Sequence, residues 1–256
     1  MKAPIKHRKG SPKYANVRFA RWNLLEYLPL KYHRLAKLLV LTNFVSIGFF
    51  VLRFVGAENT RYWFMLWNLT LAWVAPLIAW YLFKRLNRTS WGSWFNIALT
   101  VLWLGFLPNS FYIVTDMIHL KPTGEINIIF DAVLLTSFVF NGFIAGFIGT
   151  FLVHKQLLHR LSSRVSMAIV TGVFILSSYA IYLGRVLRWN TWDALLHPAG
   201  LLFDISDNII HPLDHLQSFV VTISFTVLIT SFYLLFWELL QALRPNRTNQ
   251  DTTTDY

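Results

Sequence analysis

The segment INIIFDAVLLTSFVFNGFIAGFIGTFLV, residues 126–153, decides the fold class of this chain. It carries a single charged side chain, Asp131, and exceeds the roughly 20 helical residues needed to cross a bilayer. Five other apolar stretches lie near residues 35–55, 62–83, 91–107, 165–187 and 216–240. The sequence therefore predicts an all-α, polytopic transmembrane bundle of about six spanning helices.

The composition agrees with a membrane protein. Hydrophobic residues make up 55% of the 256 positions and charged residues only 14%, whereas a soluble domain carries roughly 25% charged residues. The mean hydropathy is +0.47. Because the chain has no cysteine, disulfides, thiol catalysis and cysteine-ligated metals are excluded.

The basic residues predict an orientation. Eighteen of the 23 Lys and Arg residues fall on one side of a six-span arrangement, ten of them within residues 2–37. The other side has five: Arg53, Arg61, Lys121, Arg185 and Arg188. The positive-inside rule then places both termini in the cytoplasm, and the outer side is expected to carry short interfacial helices.

Three regions are predicted along the chain. Residues 1–34 form a basic cytoplasmic arm, residues 35–240 the transmembrane domain, and residues 241–256 a polar cytoplasmic tail that is predicted to be disordered. The basic arm is expected to bind anionic lipid head groups at the membrane surface. The net charge of +11 does not indicate a nucleic-acid partner, because the arm has no sign of a folded binding domain.

A polar segment, LPNSFYIVTDMIHL at residues 107–120, follows the third apolar stretch. If it is α-helical, a rotation of 100° per residue brings Asn109, Tyr112, Asp116 and His119 within an arc of about 80°. The segment either continues the third span or lies separately in the membrane interface. Its polar face meets either a binding pocket or simply water and lipid head groups.

Asp116 and His119 also form a candidate metal pair. A carboxylate and an imidazole one turn apart can provide two ligands to a divalent cation, or form an acid–base pair. His211 and His215 are two further candidate ligands, although Pro212 between them argues against a continuous helix there. No other cofactor is indicated.

Asp131 needs a partner, because a carboxylate at the bilayer centre costs roughly 2.5–3.5 kcal/mol. In the fifth stretch, Tyr182 and Arg185 share a helix face, and Arg185 could pair with Asp131 or Asp116, or extend outward beside Arg188. The small residues Gly142, Gly146 and Gly149 predict close helix packing.

Helix ends are predicted in the connection between the fifth and sixth stretches. Asn190 is expected to cap a short helix, with Asp193 in its first turn and His197-Pro198 at its end. Pro212 is expected in the first turn of the final helix.

Residues 107–120, Asp131 and the segment YLGRVLRWNTWD at residues 182–193 together resemble the bacterial membrane proteins of domain of unknown function 1361. The resemblance covers most of residues 40–240. It implies a multi-pass protein of the bacterial plasma membrane, and it supplies no activity, substrate or cofactor.

Three functional hypotheses follow. The first is an outward-facing polar pocket that binds or processes a lipid head group or a small polar molecule. Its candidate residues are Asn109, Tyr112, Asp116, His119, Asp131, Tyr182, Arg185 and Arg188. The second is a small-solute or ion transporter that uses Asp131 and Arg185 as a gate or coupling pair, although no inverted repeat is evident. The third is a noncatalytic scaffold or accessory subunit. Whether the protein is an enzyme stays open, because no nucleophile elbow or zinc-protease motif is present.

Overall fold

A computed structural model describes residues 30–57, 60–122, 124, 126–189 and 192–242. The residues before 30 and after 242, which include most of the basic arm and the polar tail, lie outside the described residues. The three predicted regions of the chain therefore stay predictions.

The described residues form helices and connections, without a strand. The helices are α1 (Leu30–Ala57), α2 (Phe64–Leu86), α3 (Trp94–Tyr112), α4 (Ile128–Leu158), α5 (Ser163–Arg185), α6 (Asp193–Leu196), α7 (Pro198–Ile210) and α8 (Leu216–Ala242). A 3-10 helix, Ile113–His119, directly continues α3. In the described chain, six helical segments are long and apolar enough to cross a membrane, which confirms the predicted class.

The polar segment continues the third span. The helix passes through Pro108 to Tyr112, tightens into the 3-10 helix and ends at the extended residue Leu120. A 3-10 helix turns 120° per residue, so positions three apart eclipse one another. Asp116 and His119 are therefore aligned along the segment, and the predicted α-helical arc does not hold beyond Tyr112.

Glycines bring α4 against α3, as predicted. A Cβ atom at Gly142 would lie 2.6 Å from the main-chain oxygen of Ser110, and one at Gly146 would lie 2.7 Å from Cζ of Phe111. At Gly149 a Cβ atom would lie 3.2 Å from Cα of Pro76 in α2. The small-residue positions thus allow the close approach that fixes the start of α4 beside the 3-10 helix.

A polar cluster joins α1, α2 and α4 along their length. Asn141 accepts a hydrogen bond from the Thr42 hydroxyl at 2.8 Å and donates to the Ser46 hydroxyl at 2.8 Å. The indole of Trp73 donates to Asn43 at 3.0 Å. These bonds satisfy polar groups that would be costly if they faced hydrocarbon unpaired.

The connection between α5 and α8 agrees with the sequence expectation in part, since the short helix α6 has Asp193 in its first turn and ends at Leu196, before His197-Pro198. Trp192 precedes α6, Asn190 lies outside the described residues, and Pro198 is the first residue of α7. The prediction for Pro212 is wrong, because this residue lies in a turn and α8 begins only at Leu216. Asp207 explains the turn, since its carboxylate binds both His211 and His215 at 2.9 and 2.8 Å.

Candidate functional site

The end of α5 places Arg185 against the 3-10 helix. Its guanidinium donates to the Tyr112 hydroxyl at 3.2 Å and to the Thr115 carbonyl oxygen at 2.6 Å. The same group lies 3.4 Å from Nε2 of His119 and 3.5 Å from Oδ1 of Asp116. One side chain of α5 therefore contacts four polar residues that lie along the end of the third span.

Asp116 is buried and has two partners of different kinds. Its Oδ2 accepts a hydrogen bond of 2.6 Å from the Asn68 amide of α2, which is shorter than its contact with Arg185. A bidentate pairing of Arg185 with this carboxylate is absent, and the Arg185 side chain is 22% exposed. The guanidinium thus keeps donor surface that Asp116 does not occupy.

A fully buried ion pair joins α1 to α4. Nε of Arg53 lies 2.8 Å from Oδ1 of Asp131, and the two side chains are only 2% and 1% exposed. The Tyr62 hydroxyl donates to the other oxygen of Asp131 at 3.2 Å. Asp131 meets a partner as expected, but the alternative that this partner is Arg185 is wrong.

Tyr62 links this pair to the Arg185 cluster. Its hydroxyl lies 3.5 Å from the main-chain oxygen of His119, which Arg61 also approaches at 3.5 Å. Burial and the nearby Asp131 carboxylate raise the pKa of Tyr62 above its usual value, so the phenol stays protonated and can donate.

Cations surround His119. Arg185, Arg61 and Lys121 all lie close enough to interact electrostatically with its ring, and the ring packs edge-on against Phe64. His119, Arg61 and Lys121 are exposed, whereas Asp116 and Asp131 are buried. Arg61, Lys121 and the partly exposed Arg185 thus place positive charge at the surface around His119, whereas the nearby carboxylates of Asp116 and Asp131 are buried. We call Arg61, Lys121 and Arg185, together with the imidazole of His119 between them, the cationic cluster.

The structure brings together half of the predicted pocket. Tyr112, Asp116, His119 and Arg185 are in mutual reach through the Arg185 guanidinium, and Asp131 connects to them through Tyr62. Asn109 instead donates to the Phe106 carbonyl oxygen within its own helix, and Tyr182 stacks on Tyr179. Neither of these is among the groups that contact Arg185.

Arg188 lies in the turn of the main chain that follows α5. Its φ of 62° lies in the left-handed region that non-glycine residues rarely adopt. The turn brings the Trp189 amide back to the Leu183 carbonyl oxygen at 3.1 Å, and the Trp189 indole donates to Asp204 of α7 at 2.8 Å. The side chain of Arg188 is exposed and does not contact Arg185.

Sequence reasoning missed six residues of this site: Arg53, Arg61, Tyr62, Asn68, Thr115 and Lys121, of which the three basic ones entered only the prediction of orientation. A usable signal existed for two of them. Arg53 and Asn68 lie inside apolar stretches, where a charged or amide side chain is expected to have a specific partner. Tyr62 and Thr115 carry no such signal, because aromatic and hydroxyl side chains are common at membrane interfaces.

The predicted metal ligands do not assemble into a larger set. In the described part of the chain, no three His, Asp or Glu side chains are arranged to hold a metal ion. His211 and His215 bind Asp207, whereas Asp116 binds Asn68 and Arg185. Asp116 and His119 remain a two-residue candidate.

These features define a multi-pass helical membrane protein with charged pairs buried at one end of its bundle. The chain belongs to the family described as Protein of unknown function (DUF1361), which matches residues 67–232 and confirms the resemblance. The matched range contains Asp116, Asp131 and Arg185, whereas Arg53 and Tyr62 precede it. No curated protein and no solved structure matches the chain.

Proposed function

We propose that this chain is a bacterial plasma-membrane protein whose cationic cluster faces outward and binds an anionic group of a lipid head group or a small polar molecule. The observation that carries the proposal is the layered charge at the site. Exposed cations lie over buried carboxylates that are already bound by protein groups.

Arg185 is the best candidate to contact the ligand. A guanidinium presents a planar fork of donors that matches the oxygens of a phosphate or a carboxylate. Tyr112 and Thr115 hold Arg185 in position at 3.2 and 2.6 Å, so a ligand meets a group that is already oriented. Such preorganisation lowers the entropic cost of binding.

The buried Arg53–Asp131 pair helps to position the cationic cluster. Both side chains are buried, and Tyr62 connects them to the main chain of His119. Their charges offset each other, so the positive charge at the surface around His119 comes from Arg61, Lys121 and the part of Arg185 that Asp116 does not pair. We therefore assign this pair a positioning role.

The transporter alternative is less well supported than binding. In that hypothesis Asp131 and Arg185 form a coupling pair, but Asp131 bonds to Arg53 and Arg185 lies beside Asp116. The scaffold alternative makes a different prediction, because it requires the same network to hold helix ends without binding an anion.

Binding of glycerol 3-phosphate to the purified protein in neutral-lipid nanodiscs, measured by calorimetry, tests the proposal. We expect Arg185→Gln to weaken binding by at least about tenfold, which corresponds to about 1.4 kcal/mol. Arg164→Gln removes an exposed arginine at the opposite end of the same helix, so it is the matched control and should bind as the wild type does. Equal affinity in all three proteins, or no binding to any, would contradict the proposed site and favour a scaffold.

A further inference from the structure

Helix α7 presents its apolar side chains outward. Leu202, Phe203, Ile209 and Ile210 are between 61% and 71% exposed. At 100° per residue they fall within an arc of about 120°, which also contains Ser206. The exposed face of this helix therefore has no charged side chain.

The opposite face of α7 carries polar side chains and meets the protein. Asn208 is only 3% exposed, and Asp204 accepts the indole hydrogen bond of Trp189 at 2.8 Å. A Cβ atom at Gly200 would lie 3.0 Å from the Trp189 ring, so this ring packs directly on the helix backbone. This arrangement is the reverse of a helix that lies between a protein core and water.

We propose that the exposed face of α7 lies in the acyl-chain boundary of one membrane leaflet, with the helix in the plane of the membrane. Its 13 residues extend only about 20 Å, which is too short to cross a bilayer and suits an in-plane helix. The occupant of this face is lipid.

Continuity with the spans identifies the occupant. In the connection that follows α7, Leu213 is 80% exposed beside the polar His211 and Asp214, and Leu216, the first residue of α8, is 59% exposed. Both the span that precedes α7 and the span that follows it are apolar enough to lie in a bilayer. A second copy of the chain is a weaker occupant, because four side chains on a short helix offer far less area than a stable interface buries.

The cysteine-free sequence makes a direct test possible. Single substitutions Phe203→Cys and Ser206→Cys in the full chain can carry a nitroxide spin label in nanodiscs. Ser206→Cys keeps every apolar side chain of α7 and removes only the hydrogen bond from the Ser206 hydroxyl to the Leu202 carbonyl oxygen, so loss of the apolar face cannot account for its result. Val220→Cys on the exposed side of α8 provides the lipid reference, and Ser90→Cys in the α2–α3 connection provides the water reference.

We expect both α7 labels to resemble the Val220 label, with high accessibility to oxygen and low accessibility to a water-soluble nickel complex. High accessibility to nickel, as at Ser90, would place the face in water and overturn the inference. Low accessibility to both reagents, with spin–spin broadening that disappears on dilution with unlabelled chain, would place a second copy on the face and would also overturn it.

Discussion

At the scale of single residues, the two buried aspartates are balanced in different ways. Asp131 makes a direct 2.8 Å ion pair with Arg53, whereas the closest partner of Asp116 is the neutral amide of Asn68 at 2.6 Å. The positive charge of Arg53 is thus used inside the bundle, and that of Arg185 remains partly exposed. For this reason we assign the Arg53–Asp131 pair a supporting role and Arg185 the role of binding the ligand.

The Arg53–Asp131 pair gives the first prediction at this scale. Asp131→Ala leaves the Arg53 charge buried without its carboxylate, so we expect the protein to lose about 3–5 kcal/mol of stability. Thermal unfolding in detergent would detect the loss. The double variant Arg53→Met with Asp131→Ala removes both charges. Its loss of stability should be smaller than the sum of the losses in the two single variants. Strict additivity would show that the two side chains do not act as a pair.

At the scale of helices, the close approach of α3 and α4 depends on the absence of a side chain at Gly142. Gly142→Ala puts a methyl group 2.6 Å from the Ser110 carbonyl oxygen, and backbone cannot move away as a flexible side chain can. We expect a loss of about 1–3 kcal/mol from overpacking. The binding of glycerol 3-phosphate should weaken as well, because the 3-10 helix directly follows this contact.

Gly172→Ala is the matched control for that prediction. Nothing lies within 4 Å of a Cβ atom at Gly172, which is also in the interior of a spanning helix. Unfolding temperatures of the two variants, measured side by side, should therefore differ. A comparable loss in both would show that the effect comes from the glycine substitution itself and not from the α3–α4 contact.

The turn between α7 and α8 predicts a response to acid. Hydrogen bonds from His211 and His215 hold the pKa of Asp207 below its usual value. A carboxyl group with a lowered folded pKa contributes stability above its unfolded pKa and loses that contribution as the pH falls through the folded value. We expect the turn to be fully held at neutral pH and to loosen only in strong acid.

Hydrogen exchange of residues 207–218, corrected for the intrinsic rate at each pH, measures this response. Asp207→Asn should raise exchange at neutral pH and remove the part of the acid response that comes from protonation of the Asp207 carboxylate, because the neutral amide does not titrate. Exchange in α4 should not change and serves as the internal control. Unaltered protection of the turn in Asp207→Asn would show that the carboxylate does not hold it.

The helices were easier to predict from sequence than the contacts between them. Long apolar runs and small-residue spacing depend on local sequence, and both α4 and its glycine contacts agree with the structure. Arg53 and Asp131 are 78 positions apart in the chain. The sequence shows that Asp131 needs a partner, but it does not show which of the other apolar stretches provides that partner. The 3-10 helix was also beyond prediction, because periodicity assumes a constant rotation per residue while the end of a helix can tighten.

At the scale of the whole molecule, the proposed site depends on which side of the membrane the cationic cluster faces. The six-span arrangement predicted from the sequence assigns eighteen of the 23 Lys and Arg residues to the other side, which leaves the cluster on the side that is poor in basic residues. The positive-inside rule then predicts that the cluster faces outward. The rule makes basic residues infrequent on that side. A specific function for the basic residues of the cluster is therefore favoured over their chance occurrence.

Cysteine labelling in intact cells tests this orientation. Pro122→Cys follows the 3-10 helix and Ser90→Cys lies in the α2–α3 connection, and both positions are exposed in a chain without native cysteine. We expect a membrane-impermeant maleimide to label Pro122→Cys in intact cells and Ser90→Cys only after permeabilisation. The opposite pattern would place the cationic cluster in the cytoplasm. Anion binding by Arg185 would then still be testable, but its ligand would come from cytoplasmic metabolites or the inner leaflet.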